Sequence, residues 1–126
     1  MILEMGVLNV RPGQEAEFEE TLRQARPLIA TTPGFLSIQV HRCVETPNRY
    51  LLLVTWRSIE DHTLGFRQSD RFPEWRRLLH HFYHPPPVIE HYAAALDLAP
   101  WRTSPASSRR LLVYNSDFQI PSIYEV

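Results

Sequence analysis

Apolar positions alternate from the first residues of the chain. In an extended segment over Ile2 to Val10, Leu3, Met5 and Val7 fall on one side, and Ile2, Gly6, Leu8 and Val10 on the other. Both sides are largely apolar, which predicts a strand covered on both faces. Gly6 at its middle predicts close approach of a ligand or of another backbone. Arg11-Pro12-Gly13 predicts a turn. The period then changes. Phe18, Leu22, Ala25 and Ile29 recur at helical spacing between Gln14 and Thr31, with acids gathered early, where a helix dipole favours them. Pro27 predicts a local kink or end, and Thr32-Pro33-Gly34 a stop.

Phe35 to Val44 alternates again, with Leu36, Ile38 and Val40 set against Ser37, Gln39 and His41. Glu45-Thr46-Pro47-Asn48 predicts a hairpin-like loop. Arg49 to Trp56 predicts a third strand with Tyr50, Leu52, Val54 and Trp56 on one face. Ser58 to Asp61 resembles a capping box, so a helix is predicted from Ile59 to Gln68. Phe72, Trp75, Leu79 and Phe82 form the apolar stripe of a further helix over Asp70 to Tyr83. Pro85-Pro86-Pro87 forbids its continuation, and Val88 to Leu96 predicts a fourth strand.

The order strand, helix, strand, strand, helix, strand is the split βαβ pattern. The expected class is therefore α+β, a ferredoxin-like βαββαβ domain with an antiparallel sheet. Two helices cover one face of such a sheet and leave the other bare, which predicts a homodimer. The pattern places the domain at residues 1–98. Residues 99–126 form a C-terminal tail, linker-like in composition, with Leu111 to Tyr114 able to make a short strand.

Composition narrows the choice of function. A chain of 126 residues with net charge -1 carries no strong field toward nucleic acid or an acidic membrane surface, so neither partner is expected. The lone Cys43, placed in the second strand, cannot staple the fold and is read as inert. It fits a reducing cytoplasm, the expected location. No basic leader with an apolar run opens the sequence, and no stretch approaches the ~20 apolar residues of a membrane span. No phosphate loop, dinucleotide fingerprint or nucleophile elbow is present, so NAD and ATP are unsupported and no cofactor is expected.

The motifs together resemble the antibiotic biosynthesis monooxygenase (ABM) domain family of dimeric αβ-barrels. The resemblance is carried by Thr32-Pro-Gly-Phe-Leu36, Val54-Thr-Trp-Arg-Ser58, Ser69-Asp-Arg-Phe72 and Pro86-Pro-Val-Ile-Glu-His-Tyr92, and it covers residues 1 to 96. It implies the fold and the dimer. The family's activities are mixed, and fold alone does not choose among them. The haem-degrading branch has an Asn, a Trp and a His where this chain has Gly6, Phe66 and Arg76, so haem binding is not implied. The aromatic-polyketide branch has a Trp where Trp56 stands, an Asn at Leu52 and a Tyr at His62. Its chemistry implies a cofactor-free oxygenase acting on a small aromatic or quinol-like substrate with molecular oxygen. The alternative is a non-catalytic binding or accessory protein of the same fold.

Such an oxygenation needs an apolar chamber for an electron-rich ring and a base to take its proton. His62, one turn into the second helix, is the first candidate base, and His84 is the second. Trp56, Phe66, Leu52 and Gly6 are the candidate substrate contacts. His80 and His84 have the i, i+4 spacing of two imidazoles on one metal, but no third ligand stands near in sequence, so no metal is expected. Asp70, Arg71, Arg76 and Arg77 read as a solvated face. Of Glu90 and His91, alternation directs one toward the dimer interface.

Overall fold

The computed structural model of the protein describes residues 1–99, of which Met1–Ala94 form one compact unit. Four strands make one antiparallel sheet: β1 (Ile2–Asn9), β2 (Phe35–Arg42), β3 (Arg49–Trp56) and β4 (Ile89–Tyr92), in the order β2-β3-β1-β4. Helices α1 (Glu15–Ala30) and α2 (Phe72–Leu79) pack together over one face. The α+β, ferredoxin-like expectation holds. The expected tail beyond residue 99, including its short strand, lies outside the described residues.

The core sits between that face and the helices. Along β3, Tyr50, Leu52, Val54 and Trp56 are buried; along β1, Leu8 and the adjoining Val10 are buried. They meet Phe18, Ala25 and Ile29 from α1 and Trp75 and Leu79 from α2. Phe18 packs edge-on against Tyr50, Phe82 and Tyr83, an arrangement that aromatic quadrupoles favour. Among the described residues, no helix lies over the opposite face. Val7 and Leu51 are exposed there, and Met5 and Leu53, directly paired in the β1–β3 ladder, are half-buried. Among the described residues, the expectation that β1 is covered on both sides is thus met on one side only.

Several boundaries differ from the sequence pattern, for local reasons. Pro27 lies inside α1, which runs on to Ala30, and Thr31 closes the last turn with its N–H and its hydroxyl both donating to the Pro27 carbonyl. β2 stops at Arg42, so Cys43 lies in the loop, where the Thr46 N–H reaches its Sγ at 3.3 Å. The helix expected over Ile59–Gln68 is mostly a π-helical segment, Asp61–Phe66. The Ser58 hydroxyl does accept the Asp61 N–H at 3.2 Å, as the capping pattern requires. Gly34 precedes β2 at φ +90°, where a Cβ would overlap the Asp61 carboxyl, so only glycine fits. The next helical stretch divides into α2 and a 3-10 turn, His80–Phe82, and β4 is four residues long, shorter than the alternation suggested.

Arg71 corrects the reading of a solvated basic face. Its guanidinium donates to the Leu28 carbonyl at 3.0 Å and to the Thr32 hydroxyl at 2.6 Å, tying the start of α2 to the end of α1. Arg77 pairs with Glu74 on the exposed side of α2, where such a pair adds little.

Candidate functional site

The π-helical segment lowers His62 onto the covered face of the sheet. The strand register determines what it meets there. Glu4 on β1 is paired with Val54 on one side and with His91 on the other, so Glu4 and His91 share a face, and Trp56 lies diagonally across from Glu4. Four polar side chains therefore converge. The Trp56 indole N–H donates to Glu4 Oε1 at 2.8 Å. His62 Nε2 stands 3.4 Å from the same oxygen. His62 Nδ1 and His91 Nε2 are 2.8 Å apart, one donating and the other accepting. The Trp56 and His62 rings are stacked, with centroids 5.2 Å apart and planes 18° from parallel.

Burial decides the charge of this cluster. Glu4 is 5% exposed and His62 is 3% exposed. Loss of hydration disfavours both charged forms. It raises the Glu4 carboxyl above its ordinary range, against the hydrogen bond from Trp56 and the Arg67 charge, which pull the other way. It holds the His62 imidazole down at about 3, with the positive charge of Arg67 and the neighbouring His91 adding to the effect. His91, partly exposed, is lowered by burial and then by Arg67. His62 is therefore neutral at physiological pH, and the Glu4 carboxyl is the group of the pair that changes charge most readily.

A cavity of about 370 Å³ opens beside the pair, between the sheet and the helices. That size falls in the range of small-molecule sites. Glu4 and His62 form part of its wall. Leu8, Leu52 and Ile89 come from the sheet, Leu22 and Ile29 from α1, and Phe66, Phe72 and Trp75 from the segments above. Arg67, Arg76, His80 and Tyr83 supply the remaining polar lining. Burial pushes the Tyr83 hydroxyl up, out of the range in which it ionises near neutrality. His80 is lowered by burial, then by Arg76.

The residues expected from sequence divide clearly. His62, Phe66 and Leu52 line the cavity. Trp56 lies behind His62, fully buried, and holds Glu4 and the imidazole in place. Gly6 does not line the cavity: a Cβ there would come within 2.6 Å of Ile89 Cδ1, so its close approach is to a β4 side chain. His84 is exposed and outside the lining. Among the described residues, no group of three or more His, Cys, Asp or Glu side chains is placed to hold a metal ion. No helix among them is long and apolar enough to cross a membrane.

Glu4 is the functional side chain that the pattern reading missed. Its signal was present: it is the one acid in the series Ile2, Glu4, Gly6, Leu8, Val10, an otherwise apolar strand face.

Comparison with known proteins agrees with this architecture. Residues 1–78 match the family model described as antibiotic biosynthesis monooxygenase. An uncharacterized Bacillus subtilis protein, YczJ, is 45% identical over 92 residues, which are 73% of this chain and 97% of that one. A Bordetella bronchiseptica crystal structure named "Putative antibiotic biosynthesis monooxygenase" is 40% identical, with TM-score 0.71 over 75% of this chain and 97% of that chain. The crystal structure of a point mutant of SnoaB, a cofactor-independent oxygenase from Streptomyces nogalater, shares the fold at 18% identity. Its TM-score is 0.67 over 77% of this chain and 95% of that one.

Proposed function

The chain belongs to the antibiotic biosynthesis monooxygenase family, and from that premise we propose that it is a cofactor-independent monooxygenase of an aromatic or quinol-like small molecule. The observation that carries this reading is the buried Glu4–His62 pair in the wall of an aromatic-lined cavity. A carboxyl group in such a place costs stability, and buried acids with shifted pKa values gather at functional sites. SnoaB, a cofactor-independent oxygenase, shares the fold and lends the reading further support.

In this reading the substrate ring lies against Phe66, Phe72 and Trp75, with Leu52 beneath it. Glu4, poised by Trp56 and His62, takes a phenolic proton and leaves an electron-rich anion. That anion reduces molecular oxygen directly. One oxygen atom enters the ring, the other leaves as water, and all four electrons come from the substrate. His62 Nε2 and Glu4 Oε1 act as one unit, because a neutral imidazole in this setting is a weak base alone. Arg67 and Arg76 at the cavity favour the anion.

The reading includes three further elements. A second copy of the chain covers the open face through Met5, Val7, Leu51 and Leu53, as a homodimer. The setting is the cytoplasm, where the single thiol of Cys43 stays reduced. The domain ends near residue 98, with the tail as a separate segment.

The test is oxygen consumption by the purified protein, without added cofactor, across a panel of phenols, naphthols and hydroquinones. We expect one O2 consumed per quinone formed for at least one member, and a KM raised at least tenfold by Phe66→Ala. Panel members that bind without oxygen uptake would instead establish the second reading, a non-catalytic binding protein. That reading is favoured by Leu52, an apolar side chain where the aromatic-polyketide branch carries an amide.

A further inference from the structure

Glu4 and His91 are direct cross-strand partners on one face of the sheet, yet the polar contacts that link them run through a third residue from a different element. Glu4 Oε1 faces His62 Nε2, and His62 Nδ1 faces His91 Nε2. The two ends of this line differ. Glu4 and His62 stand in the cavity wall; His91 does not, and it is partly exposed on the edge strand β4. An imidazole carries its two nitrogens on opposite sides and passes a proton by accepting at one and releasing at the other. A line of three such groups, one end in the cavity wall and the other at the sheet edge, has the form of a conductor.

We infer that Glu4, His62 and His91 form a proton wire that carries a proton from a ligand in the cavity to solvent at the β4 edge. The inference rests on the oxygenase reading for the source of the proton. With Glu4 protonated on Oε1, the ligand's proton arrives at Oε2 as Oε1–H passes to His62 Nε2. His62 Nδ1–H then passes to His91 Nε2, and His91 Nδ1–H leaves to water. At each station one bond to hydrogen forms and one breaks, so the ligand loses one proton, solvent gains one, and no station ends with a charge. Return of both imidazoles to their starting tautomer, together with rotation of the Glu4 carboxyl that brings its proton from the ligand side back to the His62 side, resets the line. Among the described residues, the Trp56 hydrogen bond and the His62 contact at 3.4 Å both fall on Glu4 Oε1, which leaves Oε2 for the ligand.

The surroundings suit neutral conduction. Arg67 bears on Glu4, His62 and His91 and opposes an imidazolium at either station. Arg76 and His80, from α2 and the 3-10 turn, add positive charge or a neutral ring on the far side of the cavity, and Tyr83 stays protonated. Glu90 points to the other face, where the Tyr92 hydroxyl donates to it at 2.7 Å. Trp56, stacked on His62, keeps the ring in line.

The wire makes a demand on the resting protein that needs no substrate. When Glu4 is protonated, His62 must carry its proton on Nδ1; when Glu4 is ionised, on Nε2. Imidazole 15N NMR of histidine-labelled protein, titrated over the range in which His91 itself is neutral, reads this directly. We expect His62 to exchange one neutral tautomer for the other in a single step, with His91 switching in the same step. Glu4→Gln should abolish the switch. A His62 tautomer that stays constant through the titration overturns the wire, as does a switch that persists in Glu4→Gln or a His91 tautomer that does not change with that of His62. Oxygen uptake is measured separately, so failure of the wire leaves the oxygenase reading intact, and the reverse.

Discussion

The two faces of the sheet are both apolar and are put to different uses. On β3, Tyr50, Leu52, Val54 and Trp56 are buried beneath the helices, while Leu51 and Leu53 between them look out from the opposite side. The open face carries surface that gains ~25 cal/mol for every Å² removed from water, and its central stripe has no ionisable side chain. The covered face holds an acid and an imidazole in the least hydrated part of the molecule, where each loses stability by being there. Burial alone would select the first arrangement and reject the second. In the proposed reading the open face serves association and the covered face chemistry.

The contrast breaks most severely at Trp56. Trp56→Ala empties the centre of the covered face and takes away the donor to Glu4, so urea denaturation should show a loss of about 3–5 kcal/mol. Leu53→Asp puts a charge in the middle of the open stripe. We expect the homodimer to become a monomer by light scattering while the far-ultraviolet circular dichroism stays that of the folded chain; an intact dimer would assign the open face no role in pairing.

A third effect is a pH dependence confined to the covered face. The unfolded chain binds a proton at His62 below about 6.5, and the folded chain does so only near 3. Stability therefore falls as pH falls across that window, by up to ~1.4 kcal/mol per pH unit. Glu4 works the other way above 4.5, since its raised pKa lets the folded state keep a proton that the unfolded state has released. The wild-type slope is thus steepest between pH 4.5 and 3. Urea titrations at pH 4.5, 4 and 3.5 should show His62→Gln to be flatter there. The smallest effect is at Gly6, where an added methyl meets only the flexible end of Ile89: Gly6→Ala should cost about 1 kcal/mol or less.

Most of the fold was legible because alternation and helical spacing report burial directly. β3 matches its pattern at both ends, and β1 and α1 match within a residue or two. The π-helical turn was not legible, since it is decided by how Asp61 and His62 seat against Gly34 and the sheet rather than by spacing. His62 was found for its chemistry, but not its burial, and an exposed helical histidine had the same sequence signature. Glu4 was passed over because alternation draws attention to apolar residues, and a single acid among them reads as a gap. Its partners Trp56 and His91 lie 52 and 87 residues away and are joined to it only by sheet register. Arg71 went the same way, its ties to Leu28 and Thr32 being visible only once the helices are packed.

The central claim is that the covered face is a reaction chamber worked by its buried acid. The most direct measurement is the steady-state rate of oxygen uptake by Glu4→Gln against wild type, on the panel member that wild type turns over fastest. Gln keeps the shape and the acceptor for the Trp56 indole but cannot take a proton. The account predicts a kcat lower by a factor of about 100 or more with the thermal transition preserved. A Glu4→Gln rate within threefold of wild type would contradict it.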